Sequence, residues 1–226
     1  TPTTESLVWA TDKYEMRRRL ALYDRKNTPK FTRVKDISKA ERKRVIEKVG
    51  FPMIVKPANL SFSMLVAICF HEEELEKTLR NVFRRMKKVY STQGRTEVPK
   101  VIAEEYMDGE MYSIDSYVGA RGAVHHCPLV SVKTGRNIGH DDFYNYLHTT
   151  PTKFKTSTVE RAQTVTETAI RALGLRNTTV HTELMKIDDE WKIIEVGPRV
   201  GGFRPLLYDL SCDIDHAAND ILIRLG

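Results

Sequence analysis

The stretch from His181 to Gly202, HTELMKIDDEWKIIEVGPRVGG, constrains the fold of this chain more than any other. Two apolar-rich runs, Thr179 to Ile187 and Trp191 to Val196, flank the polar triplet Asp188-Asp189-Glu190, the pattern of a β-hairpin. A three-residue loop over 188–190 sets a register in which Glu183 lies directly opposite Glu195. Strand residues alternate between faces, so Glu183, Met185, Ile187, Trp191, Ile193 and Glu195 are expected on one side. Directly opposed residues have Cβ atoms about 4.5 to 5.5 Å apart, and two like charges there destabilise a sheet. A cation between them resolves the conflict. Two hard carboxylates suit Mg²⁺, which takes one or two of them together with substrate phosphates. The hairpin alone leaves open that both glutamates face water. Behind Glu195, the run Gly197, Pro198, Arg199, Gly201 and Gly202 makes a turn where backbone approaches a ligand and a guanidinium suits phosphate or carboxylate.

Two further segments carry chemistry. Lys56 ends the apolar run Met53 to Val55 and precedes Pro57, so its packed alkyl stem can hold the ammonium at a phosphate. In Ala103-Glu104-Glu105-Tyr106-Met107-Asp108-Gly109 a strand ends in a polar turn whose backbone can read a planar base, with Glu104 and Glu105 as acceptors. A snorkelling surface lysine and solvent-facing glutamates are the ordinary alternatives for each segment taken alone. Around them, helices are predicted over residues 5–24 (one or two), Lys39–Val49 with a cap at Asp36 to Ser38, Glu72–Tyr90, Thr156–Leu173 and Asp215–Leu225. Strands are predicted over Met53–Val55 and Met64–Phe70, a hairpin, then Val101–Tyr106, Tyr112–Val118 and Ala123–Val132, a meander. Residues 135–151 read as a loop, and the tail after Gly202 as a loop leading into the final helix. Blocks of strands and helices with antiparallel connections predict an α+β fold.

In this order the three segments resemble the ATP-grasp superfamily, specifically its carboxylate-amine ligases, over about Thr11 to Gly202. The resemblance implies two α+β lobes with antiparallel sheets enclosing a nucleotide cleft. An N-terminal helical segment (1–27) packs on the core, a small lid lobe covers 28–103, and a larger lobe covers 104–226. It implies that Lys13, of the Asp12-Lys13 pair, and Lys56 contact the phosphates of ATP, and that Glu104, Glu105, Tyr106 and Met107 form the hinge that holds adenine. Glu183 and Glu195 correspond to the Mg²⁺ ligands, and Arg199 to the arginine that steadies the transferred phosphate or acyl intermediate. Three positions depart from the pattern. Met111 stands where a ribose-binding glutamate is usual, with Glu110 next to it as a substitute. Gly197 replaces a metal-assisting asparagine. The loop Asn59-Leu-Ser-Phe-Ser-Met64 has no glycine, leaving phosphate contact to Ser61, Ser63 and the main chain. The implied reaction phosphorylates a carboxylate to an acyl phosphate, which an amine displaces. The implied partners are a small-molecule acid and amine, with a homodimer in the full-length protein.

Other classes fit less well. No GK dipeptide occurs, which excludes a Walker A loop, and Gly119-Ala-Arg-Gly122 lacks the strand-to-helix setting of a dinucleotide fingerprint. The longest apolar run, Met64 to Phe70, has seven residues, against about 20 for a membrane helix. Three cysteines with no CxxC pair (Cys69, Cys127, Cys212) give no disulfide framework and point to a reducing, cytoplasmic setting. The chain begins at Thr1 without an initiator Met and reads as part of something longer. A net charge of +6 and the Arg17-Arg18-Arg19 cluster keep a nucleic-acid-binding module as an alternative, although the basic residues are interleaved with acids. A degenerate lobe that binds nucleotide without turnover is the other, on the strength of Met111 and Gly197. His140, Asp141, Asp142 and His148 share one aromatic loop, read as lining the acceptor pocket; a metal site there is conceivable but matches no standard spacing. His125 and His126 read as structural.

Overall fold

The computed structural model describes residues 1–60, 64–92, 94, 96–140 and 142–226. In chain order the first half comprises α1 (Thr4–Thr11), α2 (Lys13–Tyr23), β1 (Phe31–Val34), α3 (Lys39–Val49), β2 (Met53–Pro57), β3 (Ala67–Cys69), α4 (Glu72–Thr92) and β4 (Val101–Glu105). The second half comprises β5 (Glu110–Val118), β6 (Val124–His126), β7 (Val130–Thr134), a 3-10 turn (Gly135–Ile138), β8 (Asn145–Thr149), α5 (Thr156–Ala172), β9 (Thr178–Ile187), β10 (Glu190–Gly197), α6 (Arg204–Cys212) and α7 (His216–Leu225). Helices and antiparallel sheets make this an α+β protein. Two units separate. The larger comprises 1–11, 18–28 and 108–226, the smaller 12–17 and 29–107, so the N-terminal segment is divided between them. Among the described residues no helix is long and apolar enough to cross a membrane.

The smaller unit is a four-stranded antiparallel sheet, β1-β4-β2-β3, covered by α3 and α4. Helix α3 begins where the Ser38 side chain accepts a hydrogen bond from the Glu41 backbone N–H, and it ends at Gly50, whose φ of 83° a side chain would resist. Helix α4 buries Leu75, Leu79, Val82 and Met86, spaced three or four residues apart, against Val55, Ala103 and Val49. Each such fully buried apolar side chain is worth about 1.5 to 3 kcal/mol. The predicted hairpin of β2 and β3 forms, but β3 is confined to Ala67–Cys69. Met64 and Leu65 lie in a turn, where Leu65 takes a φ of 58°, so the apolar run gives only three residues to the sheet; Met64 and Leu65 pack against the core, while Phe70 is exposed.

The larger unit is built on a second antiparallel sheet, β10-β9-β5-β7-β8, with β6 paired to β5. The predicted meander is corrected here, because β4 belongs to one sheet and β5 to the other. The predicted strand Ala123–Val132 is two strands, broken where Cys127-Pro128-Leu129 leaves the ladder; Pro128 has no N–H to donate. The segment read as a loop at 135–151 contains β8, and the segment read as a loop after Gly202 contains α6. One sheet face packs on α5 and carries Tyr112, Leu184, Trp191 and Ile193, with Tyr112 and Phe154 set edge-on or tilted around Trp191. The other face carries Ser113, Asp115, His181 and Val130, beneath Arg204 and Tyr208 of α6 and His216 of α7.

Candidate active site

In the smaller unit the chemistry gathers on Glu104. Its carboxylate accepts from Arg17 Nε at 2.8 Å and Nη2 at 3.4 Å, and pairs with Lys56 Nζ at 2.6 Å. All three side chains are buried, Arg17 completely. Burial by itself pushes the Glu104 carboxyl up, but Arg17 and Lys56 outweigh it and hold the group at about 2. Burial pulls the Lys56 ammonium below its usual range, against the opposing attraction of Glu104. Lys13 Nζ donates to the Leu60 carbonyl at 2.9 Å, and its backbone N–H to the Ala58 carbonyl at 2.9 Å. Ser61 and Ser63 lie outside the described residues. At the end of β4, Glu105 N–H donates to the Lys30 carbonyl (2.8 Å) while a Glu105 carboxylate oxygen accepts from the Lys30 N–H (3.0 Å). The Tyr106 N–H donates to the Pro52 carbonyl at 3.1 Å, and Met107 is buried. Lys13, Lys56 and Glu104 thus belong to one buried region, whereas Glu105 is engaged with the chain entering β1.

In the larger unit Glu195 stands directly across from Glu183. The route to that register differs from the expected one. Glu190 pairs with Ile187, so the turn holds only Asp188 and Asp189, and a bulge between Ile193 and Glu195 then shifts the ladder by one residue. The extra residue also separates the faces. Trp191 and Ile193 point to the α5 side with Leu184, which corrects the expectation that they share a face with the two glutamates. The face bearing Glu183 carries Ser113 opposite it, then His181 and Asp115 as the next opposed pair.

Those neighbours are a hydrogen-bonded network. Asp115, fully buried, accepts from His181 Nδ1 at 2.6 Å, His216 Nε2 at 2.8 Å and the Gly201 N–H at 2.8 Å. Burial would raise its carboxyl, yet the two histidines hold it far below the carboxylate range. His181 Nε2 lies 3.6 Å from Glu183 Oε1. Desolvation disfavours its cation, but Asp115 and Glu183 prevail and raise it to about 9. A positive imidazolium therefore stands beside one of the two facing glutamates. Gly201 is required at its position, since a Cβ there would lie 2.4 Å from His181 Nδ1 and 2.6 Å from Arg204 Cγ. Arg199 is exposed, and its Nη1 donates to the Val200 carbonyl at 3.0 Å. Glu110 accepts from Tyr112 Oη at 3.0 Å and faces Lys133 at 3.9 Å, while Met111 packs on the apolar cluster of Val130 and Val132.

Sequence reasoning missed Arg17, Asp115, His181, Arg204 and His216. His181 was within reach, because period two puts it on the face of Glu183. Arg17 carried no such signal, since its partner lies 87 residues away. Of the arginine cluster, Arg17 is consumed by Glu104, and Arg19 donates to the Ala172 carbonyl while stacking on Trp9 at 3.8 Å. That removes much of the case for a nucleic-acid surface. Asp141 lies outside the described residues; Asp142 accepts from the Tyr144 N–H, and His148 bonds Arg204.

Residues 49–205 match the ATP-grasp domain. The chain is 23% identical over 201 residues to an alanine–anticapsin ligase of Bacillus amyloliquefaciens, covering 86% of this chain and 42% of that protein. It therefore spans less than half the length of the curated relatives it matches. Among solved structures it superposes on an L-amino acid ligase from Bacillus licheniformis with a TM-score of 0.72 at 23% identity, covering 98% of this chain and 47% of the other. A D-alanine–D-alanine ligase from Bacillus anthracis gives a TM-score of 0.73 at 20% identity, covering 99% and 69%. With residues 49–205, more than half of the chain, matched to the family and the fold shared with these structures, the chain belongs to the ATP-grasp family.

Proposed function

We propose that this chain is the ATP-grasp part of an ATP-dependent ligase that joins a small-molecule carboxylic acid to an amine as an amide, forming ADP and phosphate. The observation that carries the reading is the opposition of Glu183 and Glu195 on one sheet face, in a family whose matched relatives are named as amino-acid ligases. Two hard carboxylates fit Mg²⁺, which completes its shell with water and phosphate oxygens and needs no third protein ligand. Glu183 and Glu195 would hold it. When bound it neutralises charge on the phosphates. Lys56 and Lys13 hold the nucleotide's phosphates, Arg199 steadies the transferred phosphoryl, and the end of β4 from Glu104 to Met107 receives the base. Because Arg17 also holds Glu104, Lys56 can exchange its carboxylate partner for a phosphate without leaving that carboxylate alone in the core.

A substrate carboxylate oxygen attacks the γ-phosphorus of ATP, the bond to ADP breaks, and an acyl phosphate results. The amine nitrogen then attacks the acyl carbon, phosphate leaves with the bonding pair, and the nitrogen gives up its proton. No nucleophilic side chain is required, in keeping with a Cys127 thiol that burial raises to about 12. A nucleotide-binding lobe without turnover is the second reading, favoured by Met111, which packs into an apolar cluster rather than offering a carboxylate. Phosphate release from ATP across a panel of amino acids separates the two. The ligase reading expects substrate-dependent release that falls by about 100-fold or more in Glu195→Ala and Lys56→Ala, following the loss of electrostatic stabilisation. Release that survives both changes overturns it.

A further inference from the structure

We propose that the groove between β3 and α4 takes an acidic peptide, which joins the smaller unit's sheet as an extended strand beside β3. The site lies wholly within that unit and does not depend on the ligase reading. Strand β3 is the edge of its sheet. Ala67, Ile68 and Cys69 pair with β2 on one side, and among the described residues no strand lies on the other. An edge of this kind presents backbone N–H and C=O groups with which a further strand can pair.

Helix α4 runs alongside, packed on both β2 and β3, and leaves room next to the edge. Two cavities of about 370 and 530 Å³ follow one another there, sharing Thr78 and Asn81 as walls. Met64 to Ala67 line the first, and Ile68 lines the second. A helix set beside an edge strand with a groove between them suits an extended chain. The strand supplies main-chain hydrogen bonds, and the groove receives alternate side chains.

Charge gives the class of peptide. Where α4 meets α3 the charges are matched: Arg42 holds Glu72 at 3.6 Å and Glu76 at 2.9 Å, and Arg80 also bonds Glu76 at 2.6 Å. Along the groove they are not. Lys77, Arg84 and Arg85 line it, all three exposed, and among the described residues none has a carboxylate partner. The acid among the lining residues, Glu74, is already engaged with the Phe70 N–H at 2.7 Å and with His71 at 3.5 Å. Lys77 and Arg84 are seven residues apart, about 10 Å along the helix. Alternate side chains of a strand stand about 7 Å apart, so acids at alternate positions reach the long basic side chains in succession. A basic helix face alone would simply be solvated; the free edge and the cavities beside it are what point to a peptide.

The test is fluorescence anisotropy of the full chain with a labelled peptide of four Glu-Thr repeats. A Lys-Thr peptide of the same length and Glu-Thr peptides N-methylated at alternate amides, in each of the two phases, serve as comparisons. The expected result is saturable binding of the Glu-Thr peptide. Binding should be about 10-fold or more weaker for the Lys-Thr peptide and for one methylated phase, because methylation removes the pairing donors and leaves the charge. Arg84→Ala combined with Arg85→Ala is expected to weaken binding about 10-fold. Lys43→Ala combined with Lys48→Ala removes the same charge from exposed positions of α3 and is expected to change it by less than about twofold. No binding of the Glu-Thr peptide, full binding of both methylated phases, or equal losses in the two double variants overturns the proposal. Duplex DNA that binds more tightly and displaces the peptide assigns the groove to nucleic acid and also overturns it. So does sedimentation of the chain alone, if it shows a dimer that dissociates in the Arg84→Ala, Arg85→Ala variant, since the occupant is then a second copy.

Discussion

Glu104 shows what one buried side chain decides. Its carboxylate sits between Arg17 and Lys56, and removing it leaves two cations facing each other out of water. Breaking such a buried cluster by deleting one member costs about 3 to 5 kcal/mol, so Glu104→Gln is expected to lower the unfolding free energy by that amount, read as a lower urea midpoint at unchanged slope. The pH dependence has a definite sign. The folded carboxyl titrates at about 2 instead of the ordinary 4.5. A lowered folded value means the stabilisation is fully present above about pH 4.5 and is lost as the pH falls toward 2. Urea titrations between pH 5 and 2 should show this acid slope in the native chain and a shallower one in the glutamine variant; equal slopes would exclude the assignment. The sequence marks Glu104 only as one of two adjacent acids at a strand end. Which of the two turns inward follows from β4 lying at the centre of its sheet, paired on both sides, with α2 supplying the arginine.

Among elements, legibility tracked how local the determinants are. The helix at Lys39–Val49 was predicted to the residue because its cap, its apolar spacing and its closing glycine all lie within 13 positions. Its stability is correspondingly local. Ser38→Ala removes the acceptor for the Glu41 N–H and is expected to cost about 1 kcal/mol, read as a lower thermal midpoint, with no change in substrate-dependent phosphate release. Strand β8 was not legible, since it is an edge strand with four exposed residues of five and shows no alternation. Helix α6 was hidden by Pro205, which reads as a breaker yet is tolerated in the first helical turn, and by Phe203, which caps it at a φ of 60°. The hairpin of β9 and β10 falls between these cases. A two-residue turn and a bulge at Ile194 offset each other, so the Glu183–Glu195 opposition is reached although the turn and the neighbouring side-chain faces differ from expectation.

For the molecule as a whole, two units with separate sheets and separate cores imply that destabilising one need not unfold the other. Leu79→Ala empties a fully buried site in the core of the smaller unit and is expected to cost about 2 to 5 kcal/mol. Hydrogen exchange should then accelerate across residues 29–107 and remain near native across 108–226; uniform acceleration would show one cooperative block. The α+β class and most elements were determined by the sequence alone, because periodicity, caps and turn signals act over a few residues. The tertiary structure alone decided that Arg17 serves Glu104, that Asp115 holds two histidines, and that Arg204 is buried beside Ser113 with donors to spare. Those pairings join residues 66 to 101 positions apart, and a hydrogen bond over such a span is set by which strands and helices the fold brings together, not by anything adjacent in the chain.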